Sequence, residues 1–391
     1  MPNQQIIRIL SALPILGHPR DSKRIAMLQT AGFQVEVAAF ERDYHSGRMP
    51  SCHIESLGYI KHGHYVARAI KMIHALPKMR SLIRRNDVIY ASGPDMALFA
   101  IIAWLGLHRS LILEVGDIRH AQVAHGWKGF LARCIDRFIV NCSKLLVVTT
   151  MEFADGYYKK RLKCVTPIVL MENKLDEEPL RKAIARQNPT PIEAFNPAIR
   201  KLRIGYFGVL RCSWSWNILL HIAREMPEKI HIVVAGYCMD PVETPDPFTL
   251  PSNFEYRGKY RSPDDLPSLY EDVDLTWACY PGPEVTDPDW RWALSICRSN
   301  RFYESCFFQK PLISLSESGD GLVVERFQIG LGLTDKTTDG IKKAISAISP
   351  DKLLAWKRNL SDLPKSCSVY TDDLNVLASA IHNLSYWLRK I

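Results

Sequence analysis

Residues 6–40 read IIRILSALPILGHPRDSKRIAMLQTAGFQVEVAAF and contain a strand, a helix and a second strand in immediate succession. Residues 6–12 form a short apolar run, and residues 33–40 alternate between apolar and polar side chains as a strand does. Between them, residues 21–31 have apolar side chains at helical spacing, and Gly32 ends the pattern. A strand–helix–strand unit of this kind predicts two neighbouring parallel strands.

The same alternation continues along the chain and then begins again after a linker. The further strand candidates in the first half are 88–91, 111–115, 145–149 and 168–171. Residues 188–197 (NPTPIEAFNP) hold three prolines and are the best linker candidate. Strand candidates then follow at 202–207, 230–235, 254–257, 275–278 and 312–315. We therefore predict an α/β protein with two doubly wound, Rossmann-like parallel sheets in tandem.

The predicted domains follow from these boundaries. An N-terminal domain spans 1–190, a C-terminal domain spans 200–370, and a helix over 371–391 could pack back on the N-terminal domain. The longest apolar run, 96–107 (MALFAIIAWLGL), is shorter than the roughly 20 residues that a membrane-spanning helix needs, so we expect a buried helix there. The start of the sequence shows no secretory leader. The ten cysteines include no C-x-x-C pair, which favours reduced thiols in a cytosol.

The charge of the chain is unevenly distributed. Residues 1–195 hold 27 Lys and Arg against 17 Asp and Glu, whereas the remaining residues hold 23 against 24. This excess predicts an anionic partner for the first half. Charge alone fits nucleic acid or anionic lipid, but no nucleic-acid-binding motif occurs, so we expect no nucleic acid partner.

Residues 60–85 mix basic and apolar side chains in a pattern that suits the surface of an anionic membrane. Pro77 is expected to interrupt this segment. The alternative interpretation is an ordinary solvated helix face. The candidate membrane or acceptor contacts are Lys61, Arg68, Lys71, Lys78, Arg84 and Arg85.

Ligands of open parallel sheets bind beyond the carboxyl ends of the strands, so the residues after each strand are candidates for the site. Residues 208–211 follow the first strand of the second domain. Gly208 would let the backbone approach a ligand, and Arg211 could neutralise a diphosphate. The alternative is a tight turn with a surface arginine.

Residues 299–314 (SNRFYESCFFQKPLIS) are the most specific segment. They resemble the Pro-Asn-Lys-Leu-x-Glu-x-x-x-x-Gly-Lys-Pro-Val-Ile signature of GT-B glycosyltransferases (family 4-like) that make bacterial polysaccharides. The resemblance implies two facing Rossmann-like domains with a cleft, with Glu304 bound to the ribose of a nucleotide-sugar and Arg301 near its phosphates. The alternative for Glu304 is a residue at a helix start with local contacts only. The resemblance also implies that Gly258, Lys259 and Tyr260 lie in the loop that holds the nucleobase.

The first half is similar to the same family over 111–119 (LILEVGDIR), which looks like the strand on the acceptor side. If the reaction inverts the sugar, a general base must take a proton from the acceptor hydroxyl. Asp117 is the first choice because it follows a strand end; His120 and Asp21 are weaker choices. The alternative for Asp117 is a helix N-cap.

The sequence departs from the family pattern at two places. Ile296 stands where many retaining members carry a second Glu, and residues 214–217 lack the Lys that many members place after the first loop. Both departures weaken the case for retention, and the stereochemical outcome stays open. Residues 11–20 are loosely similar to a membrane-associated, inverting glucuronosyltransferase of exopolysaccharide assembly.

The resemblance thus implies a hexosyl- or glycuronosyltransferase with a UDP- or GDP-linked donor and a lipid-linked saccharide acceptor, at the cytoplasmic face of the cell membrane. We expect no cofactor and no metal, since the Asp287-Pro288-Asp289 motif is typical of a loop. Two alternatives are a nucleotide-sugar epimerase of the same fold and a catalytically degenerate partner subunit.

Overall fold

The chain forms two compact units, each built on one parallel sheet. The computed structural model describes residues 6–41, 49–60, 65–105, 110–189 and 192–388, without the side chains of 65–69 and 385–388. The N-terminal unit comprises residues 1–173 and 372–391, and the C-terminal unit comprises residues 174–371.

The N-terminal unit holds seven described strands in the order β3-β2-β1-β4-β5-β6-β7, all parallel. The strands are β1 (Arg8–Leu13), β2 (Gln34–Glu41), β3 (His53–Tyr59), β4 (Val88–Ser92), β5 (Ser110–Val115), β6 (Leu145–Val148) and β7 (Ile168–Leu170). The helices are α1 (Pro19–Thr30), α2 (Tyr65–Arg85), α3 (Pro94–Trp104), α4 (His120–Val123), α5 (Gly126–Cys142) and α14 (Asp373–Leu388), with a π-helix at Phe153–Lys159. The strand order reverses direction between β1 and β4, which makes that point the switch point of the sheet.

The C-terminal unit holds six described strands in the order β10-β9-β8-β11-β12-β13, also parallel. The strands are β8 (Leu202–Leu210), β9 (Ile230–Cys238), β10 (Phe254–Tyr256), β11 (Leu275–Trp277), β12 (Leu312–Leu315) and β13 (Gly330–Leu333). The helices are α6 (Glu177–Gln187), α7 (Ser213–Glu225), α8 (Leu266–Glu271), α9 (Pro288–Ser295), α10 (Asn300–Phe307), α11 (Gly319–Phe327), α12 (Thr338–Ser346) and α13 (Pro350–Asp362). Here the switch point lies between β8 and β11.

Both faces of the C-terminal sheet are covered, as its apolar strands require. Along β9, Ile232 and Val234 enter a core cluster with α7 and α12, whereas Val233 and Ala235 enter a second cluster with α6 and α8. Successive side chains of a strand point to opposite faces, so an unbroken apolar run fills two cores at once. The predicted pair of doubly wound parallel sheets is confirmed.

The boundary between the units differs from the predicted one. The linker was predicted at 188–197, but α6 belongs to the C-terminal unit. Leu180 of α6 is buried in the cluster that contains Phe207 and Tyr270, so packing of this amphipathic helix moves the boundary to residue 174. Helix α14 lies in the N-terminal unit against α1, β5 and β7.

Two strands and one helix also differ from expectation. Strands β3 (HIESLGY) and β13 (GLGL) were not predicted, because neither has the apolar alternation of a half-buried strand. Pro77 lies inside α2 and does not interrupt it. Ile73, four residues earlier, and Pro77 are both exposed, so water can satisfy the carbonyl that loses its helical partner. Where residues are described, the predicted buried helix at 96–107 is α3 (Pro94–Trp104), most of whose side chains are buried; residues 106 and 107 lie outside the described part.

The assignment of α6 to the C-terminal unit gives a test. Leu180→Ala should lower the free energy of unfolding by about 2–5 kcal/mol, because it removes a side chain that is buried among core residues. Urea titration followed by tryptophan fluorescence measures this loss. Leu322→Ala in the same unit, at a side chain that is 61% exposed, is the matched control and should change stability by less than about 0.5 kcal/mol. Equal effects of the two substitutions would contradict the packing of α6.

Candidate functional site

The carboxyl edge of the C-terminal sheet is lined by glycine backbone. Gly208 and Gly236 are paired in the register of β8 and β9 and have φ angles of +113° and +145°. A Cβ at position 236 would stand 1.7 Å from the carbonyl oxygen of Gly208. The amide of Gly236 donates to the carbonyl of Gly258 at 2.7 Å, so Gly258, the second predicted glycine, lies beside this pair. A ligand at this edge would meet main-chain atoms.

The loop from β8 to α7 carries the predicted phosphate contact Arg211. Helix α7 begins at Ser213, and the sulfur of its N-cap residue Cys212 accepts a hydrogen bond from the Ser215 amide at 3.4 Å. Arg211 is exposed, and its guanidinium lies 5.2 Å from the ring centroid of Tyr280, which follows β11. The loop therefore combines a helix N-terminus with a positive side chain, both of which favour an anion.

Arg301, the second predicted phosphate contact, lies at the same loop. Its guanidinium donates to the carbonyl oxygens of Phe207 and, at 3.4 Å, of Val209, and it lies 4.8 Å from the ring centroid of Tyr206. The two carbonyls belong to the residues on either side of Gly208, so these contacts hold the Arg301 guanidinium beside that glycine. The structure thus brings Gly208 and Arg301 together, although they are far apart in the sequence.

Glu304, the predicted ribose ligand, lies on α10 and is 6% exposed. The hydroxyl of Tyr270 donates to its carboxylate at 2.7 Å, and the Tyr270 ring stacks on Phe308 with centroids 4.9 Å apart. Burial, together with the negative charge of Glu304, raises the pKa of Tyr260. The carboxylate therefore accepts a hydrogen bond from Tyr270 and acts electrostatically on Tyr260, another predicted residue. Lys259 is exposed on the neighbouring loop.

The start of α10 is fixed by polar contacts that the sequence analysis missed. The N-cap residue Ser299 accepts a hydrogen bond from the Phe302 amide and donates its hydroxyl to Asp320 at 2.5 Å. Burial raises the pKa of Asp320 to about 6. Nearly two turns further along, the Ser305 hydroxyl lies 2.6 Å from that of Thr276 on β11. These contacts orient the helix that carries Arg301 and Glu304.

In the N-terminal unit, Asp21 lies at the switch point of the sheet. The Ser92 hydroxyl, at the end of β4, donates to the buried carboxylate of Asp21 at 2.7 Å. Burial raises the pKa of Asp21 to about 6 against its ordinary 3.8, although the neighbouring Arg20 acts in the opposite direction. Burial and the charge of Arg20 lower the pKa of His18 to about 4.

Asp117 follows β5 and is well exposed, with 72% of its side-chain surface accessible. Its carboxylate lies 3.8 Å from the Arg20 guanidinium, whose charge also acts on Asp21. The N-cap of α4 is Arg119, so Asp117 does not cap that helix. His120 is the first residue of α4 and is exposed. The positive charge of Arg20 therefore acts on two of the three predicted catalytic residues, Asp21 and Asp117.

A buried ion pair beside these residues escaped the sequence analysis. The guanidinium of Arg24 donates to both carboxylate oxygens of Glu114 at 3.0 Å, and the Tyr90 hydroxyl donates to the same group at 2.5 Å. Burial acts to raise the pKa of Glu114, but the charge and hydrogen bonds of Arg24 hold it below its ordinary value. The available signal was a charged residue inside the apolar strand LILEV.

The predicted membrane contacts on α2 are partly engaged within the fold. Lys78 pairs with Glu55 at 2.8 Å, and Arg85 pairs with Glu36 at 3.0 Å. Lys71 donates to the Tyr59 carbonyl. Arg84 is exposed, whereas Lys61 and the side chain of Arg68 lie outside the described residues. Lys78 and Arg85 therefore have carboxylates of β3 and β2 beside them, and their role as membrane or acceptor contacts stays a prediction.

Two acidic groups resemble metal sites. Asp287 caps α9 by accepting from the Trp290 amide at 2.7 Å, so the Asp-Pro-Asp motif begins a helix. Ligand atoms of Glu36, His53 and Glu55 lie within 4.8 Å of one another. The carboxylates of that second group already pair with the cations of α2.

The comparisons with known proteins bear on the fold and on the predicted resemblance. No protein-family model matches the chain. Over 358 residues, which are 88% of this chain and 86% of the relative, it is 25% identical to the succinoglycan biosynthesis protein ExoL of Rhizobium meliloti (strain 1021). Sucrose-phosphate synthase of Thermosynechococcus elongatus superposes with a TM-score of 0.71 at 12% identity, covering 96% of this chain and 99% of its own.

Two further solved structures are similar. Anabaena HepE in complex with UDP-glucose has a TM-score of 0.62 at 14% identity, over 97% of this chain and 100% of its own. WaaG, a glycosyltransferase involved in lipopolysaccharide biosynthesis, has a TM-score of 0.62 at 12% identity, over 95% and 98%. The chain has the GT-B glycosyltransferase fold. These likenesses confirm the predicted resemblance to GT-B glycosyltransferases of polysaccharide assembly. Within the described part of this GT-B chain, no helix has the length and apolar character to cross a membrane.

The raised pKa of Asp21 gives a pH-dependent prediction. The folded protein binds the proton of Asp21 more tightly than the unfolded chain does. The contribution of this proton to the free energy of unfolding is therefore complete below pH 3.8 and is lost as the pH rises through 6. Asp21→Asn keeps an acceptor for Ser92 and removes the charge. It should therefore increase the free energy of unfolding at pH 8 by about 1–3 kcal/mol, and the difference from the parent should disappear near pH 4.

Urea titrations of both proteins at several pH values measure that difference. Asp117→Asn, at the exposed carboxylate, is the control and should shift stability by less than about 0.5 kcal/mol. A destabilised Asp21→Asn variant at pH 8 would show that the buried carboxylate is stabilised as an anion.

Proposed function

We propose that this chain is a glycosyltransferase that moves a sugar from a nucleotide-sugar donor to a saccharide acceptor in surface polysaccharide biosynthesis. One observation carries the proposal: the C-terminal unit brings Gly208, Arg301, Tyr260 and Glu304 to one edge of its sheet. These residues provide open backbone, a fixed cation and a carboxylate held by a hydroxyl, which together suit a nucleoside diphosphate. The likeness to ExoL and WaaG supports this class of reaction.

The donor would bind the C-terminal unit through its nucleotide. Glu304 would accept hydrogen bonds from the ribose diol, since a carboxylate offers two acceptor oxygens. The loop with Gly258 and Tyr260 would lie against the nucleobase, and Arg211 and Arg301 would face the diphosphate. A UDP- or GDP-linked sugar fits these contacts, and structures of HepE contain UDP and UDP-glucose.

Transfer breaks the bond between the sugar and the diphosphate, so negative charge grows on the leaving phosphate. Positive groups that are already in place stabilise such charge without reorganisation. Arg301 is held by two backbone carbonyls, and Arg211 is positioned over Tyr280. We propose that these guanidinium groups and the start of α7 do this without a metal or another cofactor.

The acceptor hydroxyl must lose a proton if the reaction inverts. Asp117 remains our first proposal for the base, because its carboxylate is exposed after a strand end and lies near Arg20. Asp21 is a weaker choice because its buried carboxylate already accepts a hydrogen bond from Ser92. His120, exposed at the start of α4, is the third choice.

The acceptor and location are also proposals. A lipid-linked saccharide would bring the enzyme to the inner face of the cell membrane, as a peripheral protein of the cytoplasm. The excess of Lys and Arg over Asp and Glu in residues 1–195, 27 against 17, suits an anionic surface of this kind.

The ribose contact can be tested by binding alone. Glu304→Gln should weaken the binding of UDP or GDP about 10- to 100-fold, because it removes charge-assisted hydrogen bonds. Isothermal titration calorimetry of the parent first shows which nucleotide binds. Glu228→Gln is the control. Glu228 is exposed and precedes the N-terminal end of β9, opposite the edge that carries the site, so this variant should bind nucleotide within about twofold of the parent. Equal affinity of the two variants would remove Glu304 from the site.

The base can be tested by transfer. Asp117→Ala should lower the rate of sugar transfer to lipid-linked acceptor by about 100-fold or more and leave nucleotide affinity nearly unchanged. Asp155→Ala, another exposed carboxylate of the same unit, should transfer sugar like the parent. Loss of transfer and donor binding together would contradict the assignment.

The same assay distinguishes the alternatives. A chelator should leave the parental rate of sugar transfer unchanged. Loss of transfer on adding the chelator would contradict a metal-independent reaction. An altered donor sugar formed without acceptor would identify an epimerase. Nucleotide binding without any transfer would favour a degenerate partner subunit.

A further inference from the structure

Helix α5 turns an apolar stripe toward solvent. Trp127 is 72% exposed and Phe130 is 65% exposed. The complete stripe consists of exposed side chains on one face: Trp127, Phe130, Leu131, Cys134, Ile135 and Phe138. Their spacing of three and four residues is the one that normally faces a protein core. An apolar surface of this size, when it faces solvent, indicates an interaction site.

The orientation of α5 is fixed by its opposite face. Asp136 is buried and accepts hydrogen bonds from Gln122 at 2.6 Å and from Tyr157 at 2.5 Å. Gly129 is equally constrained, since a Cβ there would lie 1.8 Å from the Ala124 carbonyl oxygen. The helix cannot roll to bury its apolar stripe without breaking these contacts.

The exposed charged residues of α5 itself, Lys128 and Arg137, are both basic. Asp136 is the acidic residue of α5, and it points inward. Lys128 lies 5.7 Å from the ring centroid of Trp127, and Arg137 donates to the Leu162 carbonyl at 3.1 Å. That second contact joins α5 to a loop with exposed Lys160, Lys163 and Val165. The result is an apolar strip with a positive border.

We propose that this face of α5 docks the N-terminal unit onto an anionic lipid bilayer. The stripe runs about 17 Å at 1.5 Å per residue, and a helix of this kind lies in the plane of the membrane interface. Aromatic and aliphatic side chains would enter the acyl boundary while the bordering lysines and arginine meet lipid phosphates. A second copy of the chain fits less well, because a symmetric contact would place the positive borders together.

The proposal does not depend on sugar transfer and can fail separately from it. It differs from the predicted contact through α2, where Lys78 and Arg85 already pair with carboxylates. Helix α2 nevertheless offers a matched control, since Ile70 and Ile73 are also exposed apolar residues.

Co-sedimentation with vesicles tests the surface. The parent should bind vesicles of phosphatidylcholine mixed with phosphatidylglycerol, and bind less in high salt or to phosphatidylcholine alone. The double variant Trp127→Ser with Phe130→Ser should lower the partition coefficient about tenfold or more. Ile70→Ser with Ile73→Ser should lower it less than about twofold. Absence of parental binding, or a larger effect of the α2 pair, would overturn the proposal.

A second measurement needs no variant. Cys134 is exposed within the stripe, whereas Cys238 in the C-terminal unit is half-buried. Anionic vesicles should slow maleimide labelling of Cys134, followed by peptide mass spectrometry, and leave the labelling of Cys238 unchanged. Binding to vesicles without protection of Cys134 would contradict docking through α5. Sedimentation velocity completes the test, since a lipid-independent dimer lost in the Trp127→Ser and Phe130→Ser variant would show an interface between copies.

Discussion

The close approach of two backbones at Gly208 and Gly236 is the constraint on which the proposed nucleotide-binding edge depends. The Gly208 carbonyl oxygen occupies space that any side chain at 236 would need, at 1.7 Å from an added Cβ. This pairing keeps the ends of β8 and β9 level, so that Arg301 can reach the carbonyls on both sides of Gly208. Helix α10 then brings Glu304 to the same edge. The close approach of the two glycine backbones thus helps to determine where Arg301 and Glu304 lie.

The N-terminal unit reaches a comparable arrangement by electrostatics. Its switch point holds the buried pair of Arg24 and Glu114 and, beside it, Arg20 with Asp21. A buried charge is costly unless it is paired and hydrogen-bonded, so Arg24 and Glu114 fix one another, whereas burial raises the pKa of Asp21. Asp117 differs because its side chain is 72% exposed, which is why we propose it as the base. The two units therefore present different chemistry on similar sheets.

An element could be predicted from the sequence where it is regular and apolar. Strands such as β5 and β9 were predicted because continuous apolar runs fill two cores. The strand β3 was missed because its residues lack that pattern. The pair of Arg24 and Glu114 was missed because its members lie 90 residues apart, and no local signal links them. On α5, the apolar period was visible in the sequence, but periodicity cannot show whether such a face turns inward or toward solvent.

The central claim is that the edge at Gly208 and Glu304 holds a nucleotide-sugar. A crystal structure of the chain with the nucleoside diphosphate that it binds most tightly tests this claim most directly. We expect the ribose within hydrogen-bond distance of the Glu304 carboxylate and the diphosphate beside Gly208 and Arg301. A nucleotide bound at any other place, with Glu304 still held only by Tyr270 and its protein neighbours, would contradict it.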